Sequence, residues 1–139
     1  MTQLETNLRA FFERYARTFH QDVERFCELY AFPSETVRLD GTVQLFRGKA
    51  AAIEFFALAK RRYENEGCAQ WGIRRFVAED SGSGCASATI DWDMKTADGR
   101  PIRGWRQTYG VAGGPLHWRV QRSMLHAGSE VVYPAAPRR

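Results

Sequence analysis

Apolar positions recur at helical spacing in the first half of the chain and alternate in the second. Leu4, Leu8, Phe11, Tyr15 and Phe19 stand three or four apart. That is one face of an amphipathic helix, which Thr2 or Thr6 can cap. Asp22 interrupts the pattern as an N-cap, and Val23, Phe26, Cys27 and Tyr30 form the stripe of a short second helix that Pro33 and Ser34 stop. Residues 35–39 and 42–46 are short β-prone runs around Asp40-Gly41, a two-residue hairpin signal. Gly48 opens an alanine-rich third helix that closes at Gly67. Residues 70–79, 85–95, 101–112 and 116–126 read as strands, separated by Ser/Gly, Asp98-Gly99 and Gly113-Gly114-Pro115. The expectation is an α+β domain over residues 1–127, with a tail over 128–139. Its long curled antiparallel sheet has helices on one side and forms a cone open at its wide mouth.

Turn signals also fix register. With Asp98 and Gly99 as turn residues, Lys95 pairs with Ile102, Trp92 with Trp105, Asp91 with Arg106, Ile90 with Gln107 and Ala88 with Tyr109. One face then carries Ala88, Ile90, Trp92, Met94, Trp105, Gln107 and Tyr109, while Thr89, Asp91, Asp93, Arg106 and Thr108 share the other. Treating residues 112–115 as the next loop sets Tyr109 opposite Trp118, Gln107 opposite Val120 and Trp105 opposite Arg122.

In that register Arg122 is a full charge among tryptophans. Two readings are open: a guanidinium stacked on aromatics that donates to a carboxylate, enolate or carbonyl, or a side chain that reaches the rim or pairs with Glu28 or Glu64. Tyr15 directs its phenol into the same space, either to polarise a carbonyl oxygen or to make one structural hydrogen bond. Gln107 has two donors and an acceptor to satisfy, by a ligand or by a neighbour. Asp91 and Asp93 share a face, but Arg106 opposite Asp91 makes a solvated ion pair the expectation there.

Composition narrows the field. The 139 residues are 44% hydrophobic and 13% aromatic, enough for one packed domain and too rich for a disordered chain. No apolar run approaches the ~20 residues of a membrane span. The N-terminus is charged throughout, unlike a secretory signal. Cys27, Cys68 and Cys85 are odd in number and without paired spacing, which predicts reduced thiols in a cytoplasm. The net charge of +4 is scattered, so nucleic acid is not the expected partner. His20, His117 and His126 lack metal-ligand spacing, and there is no phosphate loop, nucleophile elbow or dinucleotide fingerprint. No metal or cofactor is expected.

Three stretches carry a family likeness: RYARTFHQDVERFCELYAFPSETVRLDG, FRGKAAAIEFFALAKRRY, and TIDWDMKTADGRPIRGWRQTYGV with a closing HWRVQRS. In their order the chain resembles the nuclear transport factor 2-like superfamily, in particular its SnoaL-like branch, over roughly residues 5 to 126. The resemblance implies a cone-shaped α+β barrel around three N-terminal helices and a homodimer built through the sheets. Ketosteroid isomerase, in that superfamily, uses a tyrosine on the first helix, an aspartate base in the first strand and a protonated acid on a late strand. Tyr15 matches the tyrosine, the base position falls on Leu39 with Asp40 one residue further in the turn, and the acid falls near Gln107. The phenol is kept without either carboxyl group, so isomerisation by that route is not expected. Two hypotheses remain. One is a cavity for a small, largely apolar or carbonyl-bearing ligand, with isomerase, cyclase or hydrolase chemistry open. Tyr15 and Arg122 would be its electrophilic donors, and Trp92, Trp105, Gln107, Tyr109, Trp118, Tyr30 and Phe56 its contacts. The other is a non-catalytic homodimeric interaction module with a filled cavity.

Overall fold

The computed structural model describes residues 2–135. Its elements are α1 (Gln3–Gln21), α2 (Val23–Cys27), β1 (Tyr30–Val37), β2 (Val43–Phe46), α3 (Lys49–Asn65), β3 (Gln70–Gly82), β4 (Cys85–Lys95), β5 (Pro101–Ala112), β6 (Arg119–Leu125) and β7 (Val131–Val132). Thr2 caps α1, its hydroxyl accepting from the Glu5 amide at 3.1 Å. Leu8, Phe12, Tyr15 and Phe19 are buried along one face of that helix. Asp22 ends α1 and caps α2 by accepting from the Arg25 amide at 3.2 Å.

α2 is shorter than its apolar stripe suggests. The Glu28 and Leu29 amides close it on the carbonyls of Arg25 and Phe26, and Tyr30 already belongs to β1. The competing partner is β6, whose Val120 amide donates to the Leu29 carbonyl at 2.9 Å, and a β-prone Tyr-Ala-Phe gains more from a ladder than from one more helical turn. α3 ends where its sequence says: Gly67 at φ +91° follows the last turn, and its amide donates to Glu64.

The strands form one mixed sheet in the order β2-β1-β6-β5-β4-β3, with β7 also on β5. Among the described residues, only β1 and β6 run parallel. The sheet is curved but stays open, with β2 and β3 as its edges. The barrel implied by the family likeness is therefore corrected to an unclosed curl, with the helices packed on one side. Phe12 of α1 meets Tyr109 of β5 at 4.7 Å between ring centroids, and Phe19 stacks on Trp71 of β3 at 4.2 Å. Each fully buried phenylalanine contributes about 2–3 kcal/mol of apolar burial to that seam.

The β4–β5 register is as read from the turn through most of its length: Ala88–Tyr109, Ile90–Gln107, Asp91–Arg106 and Trp92–Trp105. It slips at the turn end, where a bulge after Met94 pairs Lys95 with Pro101 instead of Ile102. Across β5 and β6 the expected register does not hold. Gln107 pairs with Leu125, Tyr109 with Ser123 and Gly110 with Arg122, and an irregularity follows before Val111–Val120. The connection is longer than a four-residue loop, with Gly113 at φ +102° and strand structure resuming at Arg119. The bulge around Gln121 then reverses parity. Trp118, Val120 and Ser123 are buried, and Arg122 and Met124 turn outward.

The β1–β2 loop holds Asp40-Gly41, but Leu39 joins it: the Arg38 amide donates to the Thr42 carbonyl at 2.8 Å, and Gly41 takes φ +84°. The segment read as a tail contains β7, paired with Arg103 and Gly104, and Tyr133 beyond it donates its hydroxyl to Asp93 at 2.9 Å.

Candidate functional site

A cavity of about 460 Å³ lies between α1, α3, the β1–β2 loop and the inner face of the sheet, within the size range of small-molecule sites. Tyr15 from α1 and Trp105, Gln107 and Tyr109 from β5 share it with Phe19, Phe55, Phe56, Tyr63 and Trp71. Arg38, Leu39 and Asp40 from the loop, Arg62 from the last turn of α3, and Thr36 and Leu125 complete the lining. Rings brace one another: Tyr63 stacks on Trp105 at 6.2 Å, and Tyr15 stacks on Trp92 at 6.3 Å.

Two hydrogen-bond chains serve this lining. In the first, the Trp92 indole donates to the Tyr109 hydroxyl at 2.8 Å, and the Tyr15 and Tyr30 hydroxyls meet at 2.6 Å. Trp92 can only donate, so the Tyr109 proton is free for Tyr15 or for the cavity. The Tyr15–Tyr30 contact uses one of that pair's two hydroxyl protons, so a second phenolic proton is left over there. In the second chain the Trp105 indole donates to Gln107 Oε1 at 3.0 Å, and Gln107 Nε2 donates to Ser123 at 2.9 Å. Ser123 in turn shares a hydrogen bond with Thr36 at 3.1 Å. Gln107 keeps a second amide proton, and the Thr36–Ser123 pair keeps one hydroxyl proton.

Every polar group in the depth of the cavity is neutral. Burial, reinforced by its phenolic neighbours Tyr109 and Tyr30, holds the Tyr15 hydroxyl well above the usual phenol value. Burial likewise raises Tyr109, Tyr30 and Tyr63. All four remain protonated donors at neutral pH. The charges stand at the rim. Asp40 is solvent-exposed there, and the Thr42 hydroxyl and amide both donate to its Oδ1, which keeps its carboxyl below the ordinary range.

Of the residues singled out from the sequence, Tyr15, Trp105, Gln107, Tyr109 and Phe56 line the cavity. Tyr30 and Trp92 stand behind them as hydrogen-bond partners of Tyr15 and Tyr109. Trp118 is buried away from the lining, and its indole nitrogen has no partner among the described residues. Arg122 is corrected: its side chain is 72% exposed on the outer face, 3.3 Å from Glu35, with its stem over Gly110. Among the described residues, the cation that does approach a tryptophan ring is Arg103, 5.8 Å from Trp105 and 5.6 Å from Tyr63, and Glu66 holds it at 2.7 and 3.0 Å.

Sequence reasoning passed over Arg62, Arg38, Trp71, Thr36 and Ser123. Phe55, Ala59 and Arg62 lie at helical spacing with Phe56 and Tyr63 beside them, so the face of α3 was there to find. Thr36 and Ser123 were hidden by the β6 register. The ketosteroid isomerase comparison lands on the cavity at each point: Leu39, Asp40 and Gln107 all line it with Tyr15.

The outer face is built differently. Arg106 grips Asp91 with two hydrogen bonds, at 2.7 and 3.2 Å, and Arg74 reaches Asp91 at 3.8 Å and Asp93 at 3.3 Å. The ion pair read from the hairpin is present, but its carboxylate is buried, with Asp91 only 4% exposed. A second recess lies between α1 and β3, lined by Arg9, Glu13, Arg17, His20 and Trp71 among others. His20 is pushed down to about 4 there by burial and by Lys60. Cys27, Cys68 and Cys85 are free thiols. Among the described residues, no group of His, Cys, Asp and Glu could hold a metal ion, and no helix is long and apolar enough to cross a membrane.

Residues 5–128 match the family described as NTF2-like protein (DUF6841). The chain belongs to this family. Solved structures agree on the fold. Aln2 from a Streptomyces species is 15% identical with a TM-score of 0.73, over 91% of this chain and 92% of that one. The UBP3-associated protein BRE5 of yeast is 14% identical with a TM-score of 0.70, over 96% and 100%. An NTF2-like protein with a cystatin-like fold from Novosphingobium aromaticivorans is 17% identical with a TM-score of 0.62, over 92% and 90%. No curated protein sequence matches. These likenesses establish the fold alone, so function has to be argued from the site.

Proposed function

We propose that this NTF2-like protein binds a small, planar, largely apolar molecule in the cavity, with a carbonyl or similar acceptor at its buried end. The observation that carries this is the lining itself: an aromatic chamber whose deep polar groups are all neutral donors with protons to spare, from Tyr15, Tyr109, Gln107 and Thr36. Such donors favour an acceptor, and they favour it more as negative charge develops on its oxygen. The chemistry they would assist is enolate or alkoxide stabilisation, of the isomerase or cyclase kind. The likeness to the SnoaL-like branch belongs to this reading. Arg122 has no part in it.

The test uses acetylnaphthalene and its isostere ethylnaphthalene, which lacks the acceptor, titrated by tryptophan fluorescence. The ketone should bind about tenfold tighter, and Tyr15→Phe should erase that advantage while leaving ethylnaphthalene unchanged. Equal binding of both compounds to the wild type would overturn the reading.

A second reading concerns assembly, and one feature favours it. A row of uncharged side chains crosses the outer face in register: Val77, Thr89, Thr108, Met124, Val37 and Val43. Val43 is 57% exposed, Met124 46% and Val77 41%. A homodimer through the sheets would bury that belt. Sedimentation should then give a dimer that Met124→Glu dissociates; a monomeric wild type would remove this reading.

A further inference from the structure

The rim of the cavity differs in charge from its depth, and the difference bears on what the ligand carries at its other end. Arg38 and Arg62 reach the same lining from two separate elements, the β1–β2 loop and the last turn of α3. Arg38 is already engaged, hydrogen-bonded to the Gln44 amide oxygen and lying 5.8 Å from the Phe55 ring. Arg62 makes no ion pair and no side-chain hydrogen bond among the described residues, although Glu66 and Arg103 stand beside it around the adjoining recess. Glu66 forms no hydrogen bond or ion pair with it, and both Glu66 oxygens accept from Arg103. The carboxylate facing the rim is Asp40, with its Oδ1 held by Thr42. The rim thus carries two guanidiniums against one carboxylate, while Glu66 and Arg103 cancel. One of those guanidiniums has five donors uncommitted.

We infer that the ligand is an aromatic acid: an aryl ketone or comparable acceptor at the deep end and a carboxylate at the mouth, received by Arg62 with Arg38 beside it. This rests on the cavity reading above and adds the charge of the ligand to it. A carboxylate in the depth would meet only neutral groups among apolar rings and lose its hydration without a counter-charge. At the rim it keeps water and gains a planar partner able to bind it through two parallel hydrogen bonds. Neutral interior and cationic rim together set the orientation, with the uncharged acceptor inward and the anion outward.

The probes are an acetylnaphthoate with ketone and carboxylate at opposite ends, its carboxamide, and acetylnaphthalene, titrated at low salt against wild type, Arg62→Gln and Arg61→Gln. Arg61 is exposed on α3 outside the cavity lining, so its variant removes the same charge elsewhere. The carboxylate should bind the wild type about tenfold tighter than the carboxamide, an advantage that added salt reduces. Arg62→Gln should abolish it, and Arg61→Gln should retain it. Equal affinities for carboxylate and carboxamide, or an equal loss in both variants, would overturn the inference. Binding of acetylnaphthalene with exclusion of the carboxylate would overturn it while leaving the cavity reading intact. Failure of all three compounds to bind would overturn both.

Discussion

Strands β4 and β5 present two faces that bury polar groups in opposite ways. Inward, Trp92, Trp105, Gln107 and Tyr109 form hydrogen-bond chains with no formal charge. Outward, one residue along in each case, Asp91, Asp93 and Arg106 form a charged network with Arg74 and Tyr133. The outer carboxylates tolerate burial because their guanidinium partners stay partly in water, with Arg74 and Arg106 side chains each 40% exposed. No such relief exists inside, so only neutral donors are placed there, and some of their protons remain for a guest. The contrast teaches that the sheet's acid sensitivity and its binding capacity are carried on different faces and should be separable by substitution.

The largest effect should come from Gly104→Ala. A Cβ at Gly104 would overlap the Trp92 carbonyl and the Asp93 carboxylate, backbone and buried acid that cannot both retreat. Chemical denaturation should show a loss of about 3 kcal/mol, with the outer network and β7 pairing disturbed first. Next is Tyr109→Phe on the inner face, which leaves the buried Trp92 indole without its acceptor and should cost about 2 kcal/mol. It should also weaken ketone binding, which Gly104→Ala reaches only through unfolding. Asp91→Asn should cost less, about 1 kcal/mol, and its cost should depend on pH. Arg106 holds the Asp91 carboxyl below its usual value, so the stabilisation is present above about 4 and is lost as the pH falls further. The inner chains have no counterpart to that acid sensitivity.

His20 adds a separate acid limb. It is held neutral in the fold at a value of about 4, against 6.5 when free, so stability should decline as pH falls from about 6.5 to about 4 and then level off. His20→Gln should flatten that limb in a pH series of melting curves and leave the Asp91 limb in place. Smallest of all is Arg122→Leu. Its pair with Glu35 is exposed, so the change should stay within about 0.5 kcal/mol and leave acetylnaphthalene affinity unaltered.

The legibility of this molecule in its sequence follows the same physics. Element order as far as β6, the Asp22 cap, the Gly67 stop and most of the β4–β5 register could be read because each is dictated locally, by a capping side chain, a left-handed glycine or strictly alternating faces on either side of a turn. The β5–β6 register could not. It depends on a long glycine-rich connection and a bulge near Gln121, and one inserted residue exchanged the faces of Arg122 and Ser123. That single slip moved the most conspicuous candidate out of the site and concealed the Thr36–Ser123 end of the second chain. Tyr15, Trp105, Gln107 and Tyr109 were readable because they sit on elements with local signals. Arg62 was missed though its helix face was regular, because basic residues near a helix C-terminus usually serve only the helix dipole.

The most direct test is a nitrogen–proton correlation spectrum of the four tryptophan indoles during titration with acetylnaphthalene. Trp71 and Trp105 line the cavity, Trp92 reports through Tyr109, and Trp118 is buried away from it. The account predicts shifts at Trp71 and Trp105, a smaller one at Trp92 and none at Trp118. A shift at Trp118 with Trp71 and Trp105 unmoved, or saturating binding that moves no indole, would contradict it.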